Sequence, residues 1–228
     1  MLVEGMVGLL ILIVCWHLKG EAAATALDNI IHARYACKEW QEGKIVPRKT
    51  MRKILELAQR APSCFNVQPY KIVIVDSDEG KEKLAQAMHG PNPKHIRSSS
   101  FAAVFAADPD PIPLLGQDPP DFKVQAIEKV SLAQQSTPQA WAVKNVMLVV
   151  DHFLLAATAH GLQTNPMEGF QSQEAVRKAV GIPEKYDVPI VVAVGYENYG
   201  KHARPPLSSR RPLEEMCFLD EFGQPFEE

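Results

Sequence analysis

The segment from Pro138 to His160 is the feature that most restricts how this chain can fold. It has the length of one long helix, and apolar residues occur on most sides of that helix instead of along one stripe. Such a helix has to be central and buried against other elements. Apolar residues make up 46% and charged residues 22% of the 228 residues, which is a globular composition. We therefore predict one sizeable domain, and we exclude disordered, collagen-like and coiled-coil chains.

The pattern around this helix alternates between predicted helices and short predicted strands. The strands are apolar runs at Tyr70–Val75, Phe101–Ala107 and Pro189–Val194. Helices are predicted to begin at Ala26, at Pro47 and at Asp78, the last capped by Asp78 and reaching Met88. The stretch from Asp108 to Asp121 contains five prolines and predicts a loop. The fold class that follows is α+β, with a small central sheet wrapped by helices.

The N-terminus carries an apolar run over residues 5–18 without Asp, Glu, Lys or Arg. It is shorter than the roughly 20 residues of a membrane-spanning helix. Its length suits a signal-peptide core, and Ala22 to Ala24 offer a small-residue cleavage site, but Glu4 makes the preceding segment acidic. We expect residues 1–24 to form a leader that directs the protein to a membrane or organelle, with a helix packed on the domain as the alternative. Residues 25–228 then form the domain, which would be cytoplasmic without such a leader.

Charge and cysteine usage exclude several classes of function. A net charge of −3 leaves no basic excess for binding nucleic acid. The four cysteines form no C-x-x-C pair, so neither a zinc site nor a disulfide framework is expected. The common phosphate-loop, dinucleotide, hydrolase and zinc signatures are absent. The chemistry therefore has to come from more dispersed residues.

Four short segments point to one chemistry when they are taken together and in order. They are R-Y-A-C-K at 34–38, A-P-S-C-F-N-V-Q-P-Y at 61–70, P-M-E-G-F at 166–170 and R-R-P-L-E-E at 210–215. This series resembles the FMN-dependent nitroreductase family over nearly all of the chain beyond the leader. The segment at 61–70 is the most specific match. Ala36 departs from the family pattern, which has a serine at that position.

The resemblance implies a three-layer nitroreductase-like fold and a domain-entwined homodimer that binds FMN. It also implies hydride transfer from NADH or NADPH, through flavin N5, to a nitroaromatic, quinone or similar planar acceptor. A ping-pong mechanism is expected, because both substrates would use one exposed flavin face. No side chain is expected to act as acid, base or nucleophile, and no metal is expected. The alternative is a flavin-binding regulatory or membrane-associated protein of the same fold with little turnover.

The resemblance also assigns roles to individual residues. Arg34 and Arg210 would bind the flavin phosphate, since planar guanidinium groups match its oxygens. Lys38 would lie near the flavin N1–C2=O edge, where negative charge collects on reduction. The Glu168 N–H would bind flavin N5, and Gly169 would let the backbone approach the ring. The other predicted cofactor-binding residues are Tyr35, Ala36, Pro62, Ser63, Asn66, Gln68, Asn92 (with Lys94 or His95 nearby) and Pro166, of which Pro62, Ser63 and Asn66 would come from the partner subunit.

Overall fold

The computed structural model describes residues 20–117, 119–133, 137–198 and 208–226. The chain divides into one unit up to Asn198 and a second unit from Tyr199 to Glu228. The predicted leader segment at residues 5–18 lies outside the described residues, so the leader and the boundary at residue 25 stay predictions.

Four strands form one antiparallel sheet in the first unit. They are β1 (Tyr70–Val75), β2 (Phe101–Ala107), β3 (Gln163–Met167) and β4 (Asp187–Gly195), in the spatial order β1-β2-β4-β3. The sequence pattern predicts β1, β2 and most of β4, and these predictions are confirmed. The pattern does not predict β3, because Asn165 and Pro166 are typical of loops. Proline is tolerated there since β3 lies at the edge of the sheet.

The described residues contain seven α-helices. They are α1 (20–33), α2 (Arg48–Ala58), α3 (Asp78–Gln86), α4 (Asn92–Ser98), α5 (Asp121–Ala126), α6 (Pro138–Ala159) and α7 (Gln173–Val180). A π-helical turn, Ile127–Leu132, continues α5, and the proline-rich loop contains a 3₁₀ turn at Ile112–Leu115. The predicted cap of α3 is wrong. Ser77 caps this helix by accepting the Gly80 N–H, and α3 ends two residues before Met88.

The side chains of β2 show how the layers are arranged, because this strand is buried along its whole length. Phe101 and Phe105 pack into one core with α2 and α6. Ala102 and Val104 face the opposite core, which α3, α4 and α7 also supply. Successive residues of a strand point to opposite faces, so this sheet is covered on both sides. The α+β, three-layer prediction is confirmed.

The long helix α6 is buried on one side only. Trp141 and Phe153 are almost completely buried, and the Phe153 ring meets Phe105 edge-on with 5.4 Å between ring centroids. On the opposite side, Met147 and Leu148 are 37% and 44% exposed. The prediction that α6 is central and buried therefore holds for one face in a single chain. Among the described residues, α6 is the one helix long and apolar enough to cross a membrane, and half of its most apolar window is buried inside the fold.

The C-terminal unit is described over residues 208–226. It contains a 3₁₀ turn, Leu213–Glu215, and an isolated bridge between Phe218 and Pro225. The rings of Phe218 and Phe222 lie 4.8 Å apart.

Candidate cofactor-binding site

The basic segment 34–38 lies beside the start of β3. The Cys37 N–H donates to the Thr164 carbonyl at 2.9 Å, and Ala36 forms a parallel bridge with Thr164. Cys37 is buried, whereas Ala36 and Lys38 are exposed. This alternation is typical of extended chain, so the outward residues face solvent at the edge of the sheet.

The two cations of this segment are available to a ligand. Arg34 is half-buried and Lys38 is exposed, and neither side chain forms an ion pair with another described residue. An anion with several oxygens, such as a phosphate, fits two such cations on one short segment. The methyl group of Ala36 offers that anion no hydroxyl. Tyr35 points inward to Glu197, a contact that sequence reasoning does not find.

The turn after β3 carries Glu168 and Gly169 and is held by hydrogen bonds to its backbone. The Gly169 carbonyl accepts the His89 N–H at 2.9 Å and Asn92 Nδ2 at 2.8 Å. A Cβ on Gly169 would lie only 2.7 Å from Asn92 Nδ2, so a larger residue here would displace the Asn92 amide. Asn92 Oδ1 forms no hydrogen bond with a described residue and stays available as an acceptor. Two predicted site residues that are 77 positions apart in sequence are therefore in direct contact.

Of the two residues considered next to Asn92, which are Lys94 and His95, His95 lies against the basic segment. Its Nδ1 is 3.1 Å from the Lys38 carbonyl, and its own carbonyl accepts Trp40 Nε1 at 3.2 Å. Burial, the main cause, lowers the pKa of His95, so a neutral ring holds the backbone at Lys38. Lys94 instead lines a separate cleft of about 800 Å³ between the 41–45 loop and the start of α3.

The loop 62–68 has a strained backbone at three non-glycine residues. Phe65, Asn66 and Gln68 have φ values of 49°, 57° and 51°. Side chains hold this shape: Ser63 Oγ accepts the Gln68 N–H at 3.0 Å, and Gln68 Nε2 donates to the Asn66 carbonyl at 3.2 Å. Left-handed backbone at such residues is costly, and it is found most often at functional sites.

Asn145 anchors the same loop from α6. Its Oδ1 accepts the Cys64 N–H at 2.9 Å, and its Nδ2 donates to the Trp141 carbonyl at 2.8 Å. Its side chain is 4% exposed. The signal that could have identified it is an amide on the buried face of an apolar helix, since a buried polar group needs a partner.

A cavity of about 420 Å³ is lined by residues of α6 and of the turn after β3. Its lining residues are Met147, Val150, Asp151, Leu154, Pro166, Glu168 and Ile190. Pro166 and Glu168, both predicted site residues, therefore face one largely apolar space. Pro62 and Asn66 are exposed on the loop before β1.

Arg210 belongs to the C-terminal unit, where its guanidinium is exposed and donates to the carbonyls of Ser208 and Ser209 at 3.0 and 3.2 Å. Its proposed cooperation with Arg34 stays a prediction.

Comparisons with known proteins identify the family to which the chain is similar. The model of the nitroreductase family matches residues 31–196. A NADH dehydrogenase from Thermus thermophilus is 33% identical over 173 residues, covering 70% of this chain and 83% of that protein. An oxygen-insensitive NAD(P)H nitroreductase from Salmonella typhimurium is 29% identical over 206 residues, covering 79% and 93%. A nitroreductase structure from Exiguobacterium sibiricum, solved in complex with FMN, superposes with a TM-score of 0.71 at 24% identity, covering 85% and 96%.

The family match spans the basic segment, the strained loop, the sheet and the turn at Glu168, which are the parts that form the candidate site. FMN is the cofactor of this family, and the free cations, the glycine turn and the open Asn92 acceptor suit it. The chain belongs to the nitroreductase family and is an oxidoreductase with that family's α+β fold.

Proposed function

We propose that this protein takes a hydride from NADH or NADPH and reduces a nitroaromatic, quinone or similar planar acceptor, with FMN as its cofactor. The observation that carries the proposal is the placement of two groups along β3. The cations of segment 34–38 lie beside Thr164, and the Glu168 turn follows four residues later. At about 3.3 Å per residue the two are roughly 13 Å apart. That spacing suits an elongated ligand with an anion at one end and a ring at the other.

The residues of this chain would hold the cofactor and set its charge environment. Arg34 and Arg210 would bind the phosphate by charge-assisted hydrogen bonds. Lys38 would stabilise negative charge at the pyrimidine edge, and Asn92 Oδ1 would accept an N–H from that edge. When bound, FMN supplies the redox chemistry, since none of these side chains carries electrons.

The Glu168–Gly169 turn would orient the ring. The Gly169 carbonyl is held by His89 and Asn92, and the Glu168 carbonyl accepts the Phe170 N–H at 3.0 Å, so the backbone that follows the Glu168 N–H has little freedom to turn. A donor that is already oriented loses little freedom when a ligand binds. Since this donor belongs to the main chain, Glu168→Gln should retain most activity.

We further propose a homodimer in which Pro62, Ser63 and Asn66 contact the cofactor bound by the partner. Two neighbouring apolar side chains on α6, Met147 and Leu148, are exposed and support this, because exposed apolar side chains that lie together are typical of an interface. A single shared acceptor face also predicts ping-pong kinetics, seen as parallel lines in double-reciprocal initial-rate plots. Intersecting lines would overturn that mechanism.

Gel filtration of the purified protein with excess FMN tests the cofactor and the assembly together. The proposal predicts flavin absorbance at one FMN per chain, co-eluting at about twice the 25.3 kDa chain mass. A flavin-loaded peak at the monomer mass would overturn the homodimer. A protein peak without flavin at saturating FMN would overturn the proposed function.

A further inference from the structure

A buried carboxylate lies behind the basic segment. Glu197 lies two residues after the end of β4 and is 7% exposed. Its side chain accepts a hydrogen bond from the Tyr35 phenol, and its buried Oε2 has no partner among the described residues. A buried carboxylate is costly unless it is hydrogen-bonded, so the hydrogen bond from Tyr35 stabilises this part of the fold.

The backbone brings these residues together. The Gln41 N–H donates to the Tyr196 carbonyl at 2.8 Å, and the Asn198 N–H donates to the Glu39 carbonyl at 3.2 Å. Gln41 Nε2 also donates to the Glu197 carbonyl at 2.8 Å. The chain after β4 therefore pairs with residues 39–41, immediately beyond the basic segment.

Tyr35 and Cys37 form the inner side of the basic segment. Burial, together with the hydrogen bonds to Glu197 and Cys37, raises the pKa of the Tyr35 phenol, which therefore remains a donor. Burial likewise raises the pKa of Cys37, and its thiol donates to the Glu39 carbonyl at 3.1 Å. Inner residues anchored in this way leave Ala36 and Lys38 on the outer side.

We propose that Glu197, acting through Tyr35, is a positioning residue that holds the Arg34 backbone in place for the flavin phosphate. This inference rests on the proposed function, because it takes Arg34 as a phosphate ligand. Tyr35 is the peptide neighbour of Arg34, so fixing its side chain fixes the point from which the guanidinium extends. Glu197 also lies two residues before Tyr199, where the unit that carries Arg210 begins.

The proposal predicts that disturbing Glu197 or Tyr35 changes the affinity for FMN but not the affinity for riboflavin. Riboflavin has the same ring as FMN but no phosphate. Loosening the Arg34 backbone adds an ordering cost to phosphate binding alone. The affinity for FMN should therefore fall while the affinity for riboflavin stays near that of the unmodified protein. General damage to the fold would weaken both.

The test compares dissociation constants for FMN and riboflavin, measured by quenching of flavin fluorescence. Tyr35→Phe and Glu197→Ala should each raise the FMN constant about tenfold and the riboflavin constant by less than about twofold. Glu197→Gln keeps an acceptor oxygen and should recover most of the FMN affinity. The FMN affinity should also become less sensitive to NaCl in the two damaging variants, because their phosphate contacts are weaker.

Asp108→Asn is the matched control. Asp108 is also a buried carboxylate, 2% exposed and paired with Lys185 at 3.2 Å. It follows β2, which is antiparallel to β4, so it lies at the opposite end of the sheet from Glu197. This variant should lower thermal stability without changing either constant.

The inference would be overturned if Tyr35→Phe lost affinity for FMN and riboflavin equally, or if it lost no affinity for FMN. If the Glu197→Ala protein does not fold, Tyr35→Phe alone tests the inference, because this substitution removes only one hydroxyl group. If the unmodified protein binds neither flavin, the proposed function fails first and the inference fails with it.

Discussion

Replacing Gly169 with alanine should weaken FMN binding through one neighbouring side chain. The new Cβ would lie 2.7 Å from Asn92 Nδ2, while ordinary contact begins at 3.4 Å. Asn92 would have to retreat by about 0.7 Å, which lengthens its 2.8 Å bond to the Gly169 carbonyl to about 3.5 Å, beyond hydrogen-bonding range. Without that bond the turn is less ordered before FMN binds, and re-ordering it on binding should cost up to about 1 kcal/mol, or about fivefold in the FMN dissociation constant.

Flavin fluorescence titration of four proteins tests this chain of causes. They are the unmodified protein, Gly169→Ala, Asn92→Ala and the double variant. Once Asn92 is alanine the clash is gone, so Gly169→Ala should add less than about twofold in that background. Gly20→Ala is the control, because nothing lies within 4 Å of its Cβ position. An equal effect of Gly169→Ala in both backgrounds, or none in either, would refute the reasoning.

Three further changes should each affect one measurable property. Arg34→Ala should raise the FMN dissociation constant at least about tenfold by removing a charge-assisted contact, whereas the exposed Arg52→Ala should leave the titration unchanged. Asn145→Ala removes the side-chain acceptor of the Cys64 N–H and should lower the free energy of unfolding in urea by about 1–3 kcal/mol; a change below about 0.5 kcal/mol would contradict that role. Because burial lowers the pKa of His95 below its ordinary 6.5, the unfolded chain binds the proton more readily. Stability should therefore fall as the pH drops below about 6.5, and His95→Asn should flatten this fall in melting temperature; an unchanged slope would count against it.

The sequence predicts the parts of the fold that local patterns determine. β1 and β2 are runs of apolar and β-branched residues, and both occur where the pattern places them. β3 could not be predicted in this way, because its pairing with β4 outweighs the loop preference of Asn165 and Pro166. The exposed side of α6 could not be predicted either, because apolar residues that pack in a core and apolar residues that pack at an interface give the same sequence pattern.

The residues of the candidate site also fall into two groups, those that a sequence motif identifies and those that it does not. Arg34, Lys38 and the Glu168 turn belong to contiguous motifs that sequence comparison alone can find. Asn145, which anchors the loop at Cys64, and Glu197, which contacts Tyr35, act across more than 80 positions of sequence and belong to no motif. Their roles depend on which segments the fold brings together, and the structure is needed to identify them.

Anaerobic reduction of the bound flavin is the decisive test of the proposed reductase activity. The protein is loaded with FMN, freed of excess flavin and titrated with NADH or NADPH without oxygen while the visible spectrum is recorded. A quinone or nitroaromatic is then added. We expect the visible absorbance of the flavin to bleach with about one equivalent of NADH or NADPH and to return on addition of the acceptor. A bound flavin that neither nucleotide bleaches would contradict it and would indicate a flavin-binding protein without reductase activity.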